Sequence, residues 1–232
     1  MIIKKIKLGR YFFDFVSVFF AVVAAFSLDN WNTNRKDRIA EEKILMEIRN
    51  GLFLDLKDIN ENREGHMMSL RACASFEKVF KGDTIAQDSV KTHYGTLTIG
   101  ATSTMNIAGY ESLKSKGLEI IQNDSLRLKI IELYSLQYKN LEKFEEESPE
   151  LQPFQNYFMP INEVISPYLN YESDGNISGL NQPVILPEKT KKLMLSYIWQ
   201  IRIIRSSMFH EYEETEVKIN NLLKHINKEL DD

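Results

Sequence analysis

One cysteine, four histidines, 10 glycines and 6 prolines among 232 residues already rule out several kinds of protein. A lone Cys73 makes no internal disulfide and no multi-cysteine zinc site, so cysteine usage leaves the redox compartment open. So few turn-forming residues argue against the turn-dense layout of a β-sandwich or barrel and in favour of long helices. The histidines are His66, His93, His210 and His225, and none belongs to a His-Glu-x-x-His pair. Gly-x-Ser-x-Gly and the phosphate-cradling glycine loop are missing too, as are internal repeats and low-complexity tracts. Basic residues are scarce outside the amino end. The net charge is −4, yet residues 1–10 carry Lys4, Lys5, Lys7 and Arg10 without an acid, which leaves the remaining chain at −8. A body that acidic is a poor match for a nucleic-acid backbone, so no nucleic acid is expected as a partner. No cofactor is implied.

What the sequence does have is one long apolar run. "YFFDFVSVFFAVVAAFSL", Tyr11 to Leu28, spans 18 residues with one charge, Asp14. As a helix it is about 27 Å long, close to the hydrocarbon thickness of a bilayer. Two alternatives compete: a cleaved signal peptide, with Val23–Ala25 as the cleavage site, and a buried core helix. The run outlasts an ordinary signal-peptide core and is apolar on every side, so a retained transmembrane helix is expected. The organisation expected is a basic tail over 1–10, a span over 11–28 and a soluble domain over 29–232.

The border that follows, "LDNWNTNRKDR", sets Trp31 among Asn30, Asn32 and Asn34. An indole is apolar in body with one N–H donor, which suits the headgroup layer, and the amides can meet headgroups and water. The competing reading is that Trp31 packs on the soluble domain. Asp14, an acid inside the span, is either a headgroup-level carboxylate paired with Arg10 or Lys7, or a polar contact to a second span.

An early acid in the span, then "DNWN", "NRKDR" and "EEKILMEIRNGLFLDL", resembles an uncharacterised family of bacterial single-span membrane proteins. Its members read Asn-Asn-Trp-Asn at this border, where Asp29 stands here in place of the first Asn. "YESLKSKGLEIIQNDSLRLKIIELY", Tyr110 to Tyr134, resembles the family's middle segment. The resemblance implies architecture, favours Asp14 as an intramembrane contact and implies no activity. Lys and Arg tie in number on the two flanks of the span. Moving a short tail with four cations across a membrane is unfavourable, whereas large downstream domains cross regardless of charge. The expectation is an inner-membrane protein with its amino end in the cytoplasm and its body outside.

The body reads as all-α. Ile44, Leu45, Ile48, Leu52, Leu56 and Ile59 recur at three- and four-residue steps, predicting a helix from Arg35 to about Lys81 that continues the span, passes through Gly51 and Gly65, and stops at "KGD". A second long helix is predicted over Glu188–Leu230, its seam interrupted by Arg205 and Thr215, packed antiparallel to the first as the spine of a bundle. Asn106–Glu147 reads as a helical hairpin, with Gly117 as a stop and Asn123 or Asp124 as a cap. Pro153, Pro160 and Pro167 chop the next segment; "LNYESDGNISGLNQP" reads as a polar loop, and "GTLTIGATSTM" as the one strand-like stretch.

Chemistry is harder to find. His210, Glu213 and Glu214 share a helix face without the Glu-x-x-His pairs that bundle metal sites use, so a solvated face is expected. "KFEEESPE", Lys143–Glu150, reads as a charged helix end, Met67 and Met68 of "GHMM" as core, and Cys73 as an inert buried thiol. Three readings remain. The first is a membrane-anchored scaffold or interaction protein whose partners are the lipid bilayer and another protein or a second copy. The second is a sensor that binds a small ligand near "TLTIGATST" and Tyr110; a pocket lined by aromatics and hydroxyls there would favour it. An enzyme is third.

Overall fold

The computed structural model describes residues 8–97, 100–147 and 157–231. Helix α1, Leu8–Lys81, is 74 residues long, about 110 Å from end to end. It ends where Gly82 takes φ +91°, with its N–H donated to Val79 and that of Asp83 to Lys78. The remaining elements are α2 (Gln87–Thr96), α3 (Ala108–Lys116), a 3₁₀ turn (Leu118–Ile120), α4 (Asp124–Glu132), a π turn (Leu133–Gln137), α5 (Tyr138–Glu147), α6 (Met159–Ile165), a second 3₁₀ turn (Ser166–Tyr168), strands β1 (Leu169–Tyr171) and β2 (Ile177–Leu180), and α7 (Glu188–Asp231).

Helices α1 and α7 form the antiparallel spine. Arg63 meets Glu216, His66 meets Arg205, and Glu77 meets Arg202, so positions climbing α1 pair with positions descending α7. Two apolar cores line it. The proximal one gathers Ile44, Ile48, Leu52 and Ile59 of α1 with Tyr212, Ile219, Leu222 and Ile226 of α7, covered by α3 to α5. The distal one gathers Phe76, Val79 and Phe80 with Ile198 and Ile201, covered by α2, α6 and the strands. Leu52 and Leu222 thus share one core, as the paired apolar faces predict. Glu229, near the end of α7, returns to a recess it shares with Asn34, Asp37 and Arg38. Asp232 lies outside the described residues.

Local signals explain most boundaries. Gly117 stops α3 at φ +101°, and the Asn123 side chain caps α4 by accepting from the Leu126 N–H. Pro160 lies in the first turn of α6, where its missing N–H costs nothing; Pro153 lies outside the described residues. Two expectations fail. Among the described residues no strand lies in "GTLTIGATSTM": Gly95 and Thr96 finish α2, and residues 100–107 have no regular secondary structure. The strands lie instead in the "polar loop", as a hairpin with Leu169 opposite Leu180. Glutamine amides hold this hairpin in place. Gln87 accepts from the Leu180 N–H at 2.7 Å and donates to its carbonyl at 3.0 Å, and Gln182 treats Ile85 the same way. Each amide imitates a neighbouring strand's peptide group, so two short strands keep their ladder satisfied at the edge.

Candidate functional site

The first candidate region is the amino-terminal part of α1. Among the described residues it is the one helix long and apolar enough to cross a membrane, and none of its apolar window is buried. Phe12, Phe13, Phe15, Phe19, Phe20 and Phe26 all stand exposed, and the first buried side chain of α1 is Glu41. Trp31 is 62% exposed, with the Arg35 guanidinium 5.8 Å from its ring centre, so it does not pack on the body. Asn30 and Asn32 are exposed beside it. Asp14 lies on α1, but its side chain, like that of Arg10, is outside the described residues. Between Leu28 and Glu41 the helix runs about 18 Å as a polar stalk.

The second region is a buried polar layer at the waist between the two cores. Arg205, fully buried, reaches His66 Nδ1 at 2.8 Å. A guanidinium only donates, so Nδ1 is the acceptor and the imidazole proton sits on Nε2, which faces the Tyr212 hydroxyl at 3.4 Å. Tyr212 in turn donates to Glu145 at 2.6 Å. Burial, and then the Arg205 charge, push His66 down to about 4, so it is neutral at pH 7. Burial raises Glu145 above the usual carboxylate range and lowers Arg205 to about 10. This chain has residue types that acid–base chemistry uses, but His66, Arg205 and Tyr212 are wholly buried and Glu145 nearly so. The layer ties α1, α5 and α7 together and lies out of reach of bulk solvent.

Residues 100–107 explain why these acids are buried. The strap lies across α1 with its N–H groups donated to carboxylates: Ser103 to Glu145, Thr104 to Asp58 at 2.9 Å and Asn106 to Asp55 at 2.6 Å. Side chains thus do what a neighbouring strand would do, which is how the stretch is satisfied without joining a sheet. Asp55 also accepts from the Tyr138 hydroxyl at 2.6 Å, and burial raises it to about 6.

The strap is one wall of the third region, a cleft of about 440 Å³ whose other walls come from α3, the π turn and α5. Tyr110 and Tyr134 stack there with ring centres 4.7 Å apart and planes within 8°, and Tyr138 meets Tyr134 edge-on at 5.1 Å. The Tyr110 hydroxyl pairs with Ser135 at 2.7 Å, while the Tyr134 hydroxyl is buried without a hydrogen-bond partner. Helix α4 to α5 contains neither Gly nor Pro over residues 124–147, yet makes one π turn there. Such turns occur mostly as single widenings of an α-helix and often at functional sites.

The sequence reading picks out some of these groups and misjudges others. Met67 and Met68 are partly exposed, and it is His66 between them and Gly65 that enters the core, because only that position of the three faces α7. In "HEYEE" the exposed His210 and Glu214 lie 3.3 Å apart, and the residue that matters is the buried Tyr212. In "KFEEESPE" the described part of α5 runs to Glu147, and Glu145 is buried and fully engaged; residues 148–150, where the expected helix end falls, lie outside the described residues. Arg205 and Thr215 do not merely interrupt the α7 seam: both are buried in it, with Thr215 accepting from Gln137 at 2.9 Å. Cys73 is fully buried, and burial raises its thiol to about 11, as expected of an inert group. Asp55 and Arg205 carried a legible signal, since each is a charge sitting on an apolar stripe.

Comparison with protein-family models, with curated proteins and with solved structures finds no match for this chain.

Proposed function

We propose that the protein is held in a bacterial inner membrane by a single span, Tyr11 to Leu28, and that its helical body acts as a scaffold or interaction module. The observation that carries this reading is the exposure of the apolar amino-terminal part of α1, which continues without a break into the body's spine. An apolar helix left bare in water would be an aggregation liability, whereas in lipid it has its proper solvent. Trp31 and Arg35 on the exposed border suit a headgroup layer, and the resemblance to a bacterial single-span family agrees with this. The amino end lies in the cytoplasm and the body outside. Carbonate washing of membranes tests the anchor: the protein should stay in the pellet and need detergent for release. A soluble form with its amino end near Phe26 would mean a cleaved leader. A membrane-impermeant maleimide tests sidedness. Because Cys73 is buried, a cysteine at exposed Asp174 (Asp174→Cys) is the reporter, and labelling only after lysis would put the body in the cytoplasm.

A second reading, a membrane-anchored sensor, is favoured by one observation: the cleft beside Tyr110 is lined by three tyrosines and by the hydroxyls of Ser103, Thr104 and Ser135. A small flat molecule held there would touch a strap fastened to Asp55 and Asp58 of the helix that enters the membrane.

A further inference from the structure

We propose that the cleft between the strap, α3 and α5 binds a small zwitterion with a flat apolar body, the chemical class of an aromatic amino acid. The proposal rests on the sensor reading and gives it a ligand chemistry.

The volume of about 440 Å³ lies toward the small end of the range for ligand pockets, about 300–1,000 Å³, which suits one ring and a short polar head. The apolar wall is aromatic and already ordered, because Tyr110 and Tyr134 hold each other in a parallel stack and Tyr138 braces Tyr134 from the side. A preorganised wall loses little freedom when a ring settles against it. Lys114 shows that this wall accepts a cation, since its ammonium sits 5.2 Å from the Tyr110 ring centre.

The rim sets the charge of the ligand. Two cations, Lys114 and Lys139, and two anions, Glu111 and Glu142, line the cleft, so its mouth is balanced. Lys114 and Glu111 neutralise each other at 2.6 Å. Lys139 and Glu142 are both exposed on α5 and form no ion pair among the described residues, which leaves one free cation and one free anion a single helical turn apart. A carboxylate at Lys139 and an ammonium at Glu142 would satisfy both together. An anion alone would meet Glu142 and a cation alone would meet Lys139, so the pair selects against singly charged molecules. The buried Tyr134 hydroxyl adds a donor left unused beside the cleft.

The test uses the full chain in lipid nanodiscs, with empty nanodiscs subtracted, and measures binding by calorimetry and saturation-transfer NMR. The probes are L-phenylalanine, phenethylamine, 3-phenylpropionate and benzyl alcohol. L-phenylalanine should bind saturably and about tenfold or more tighter than the other three. Lys139→Gln and Glu142→Gln replace exposed side chains and should keep the fold, checked by circular dichroism, while each weakens L-phenylalanine about tenfold. If the singly charged or neutral probes bind as tightly, or the two variants bind as the parent does, the zwitterion class is wrong while the cleft stands as a site for flat molecules. If none of the four binds at millimolar concentration, the cleft is no ligand site and the sensor reading falls with the proposal.

Discussion

Residues 12–40 and residues 41–81 lie on one unbroken helix, yet they are built for different surroundings. The first part has no buried side chain among those described; the second buries a stripe against α7 from Glu41 to Phe80. In the first, the apolar residues go all round the helix up to Leu28; in the second they recur every three or four positions, with charges between. Backbone hydrogen bonding is the same throughout, so the difference lies wholly in where side-chain hydrocarbon is placed. A helix can be local in its hydrogen bonds and still take its stability from two unrelated sources: tertiary packing serves the second part, and lipid, under the anchoring proposed above, would serve the first.

The comparison breaks first, and most visibly, if the core of the second part is charged. Leu52→Asp or Leu222→Asp places an uncompensated carboxylate in the shared proximal core and should destabilise the body by about 4 kcal/mol or more, seen as loss of cooperative unfolding by circular dichroism. Phe19→Asp, in the first part, should leave the body's melting unchanged and weaken membrane retention, by up to about 3 kcal/mol if it sits at the bilayer centre. Either substitution acting on the other property would show that the two parts are not independent.

The polar waist sharpens the comparison through pH, because it places buried titrating groups in the second part. Asp55 is raised by burial from 3.8 to about 6, so within that window the folded protein binds a proton that the unfolded chain has released. Its contribution therefore falls as pH rises from about 4 to 6. His66, lowered by burial and by Arg205 from 6.5 to about 4, works in the opposite direction. There the unfolded chain takes up a proton the folded protein refuses, so stability is lost as pH falls from about 6.5 to 4. Each effect amounts to at most about 3 kcal/mol, and Glu145, also raised, adds to the sign of Asp55. Glu41, raised by burial too, has the same sign, so the parent's profile is the difference between these three carboxyls and His66. Asp55→Asn should tilt that profile toward stability rising with pH; urea unfolding at several pH values reads the slope, and an unchanged slope would refute the opposition.

A smaller effect is expected where α3 crosses α1. A Cβ on Gly109 would come within 2.8 Å of the Ile48 backbone nitrogen, so Gly109→Ala should force the crossing apart and destabilise by about 1–3 kcal/mol in the same unfolding assay. The smallest expected effect is that of Trp31→Ala. Its ring touches Arg35 and nothing in the body, so body stability should change by less than about 0.5 kcal/mol.

What could be read in advance follows from the range of the forces involved. Both long helices, the stops at Gly82 and Gly117, the Asn123 cap and the pairing of Leu52 with Leu222 in one core rest on periodicity and local backbone rules, which a sequence displays directly. The strap was missed because its hydrogen bonds go to Asp55, Asp58 and Glu145, residues about 40 to 50 positions away. The hairpin was missed because its strands are three and four residues long and are tied down by Gln87 and Gln182 from elsewhere. The cleft was half visible: Tyr110 and the hydroxyl-rich stretch pointed to it, but the π turn that brings Tyr134 and Ser135 to it has no Gly or Pro to announce it.

The lack of any break in α1 has a mechanical consequence. Transmembrane helices tilt, on average by about 20° and over a range of about 0–40°. With no hinge between Leu28 and Glu41, the body cannot stay upright while the span leans; the two must lean as one piece. The stretch from Glu41 to Lys81 is about 60 Å long, so a change of about 10° in tilt sweeps its far end through about 10 Å. Under the proposed anchoring, the helix is a lever whose short arm is the apolar part. With that arm in a bilayer, a change of tilt on meeting a thicker or thinner membrane would become a displacement of the α2 and β-hairpin end, and a partner gripping that end would in turn exert torque on the span.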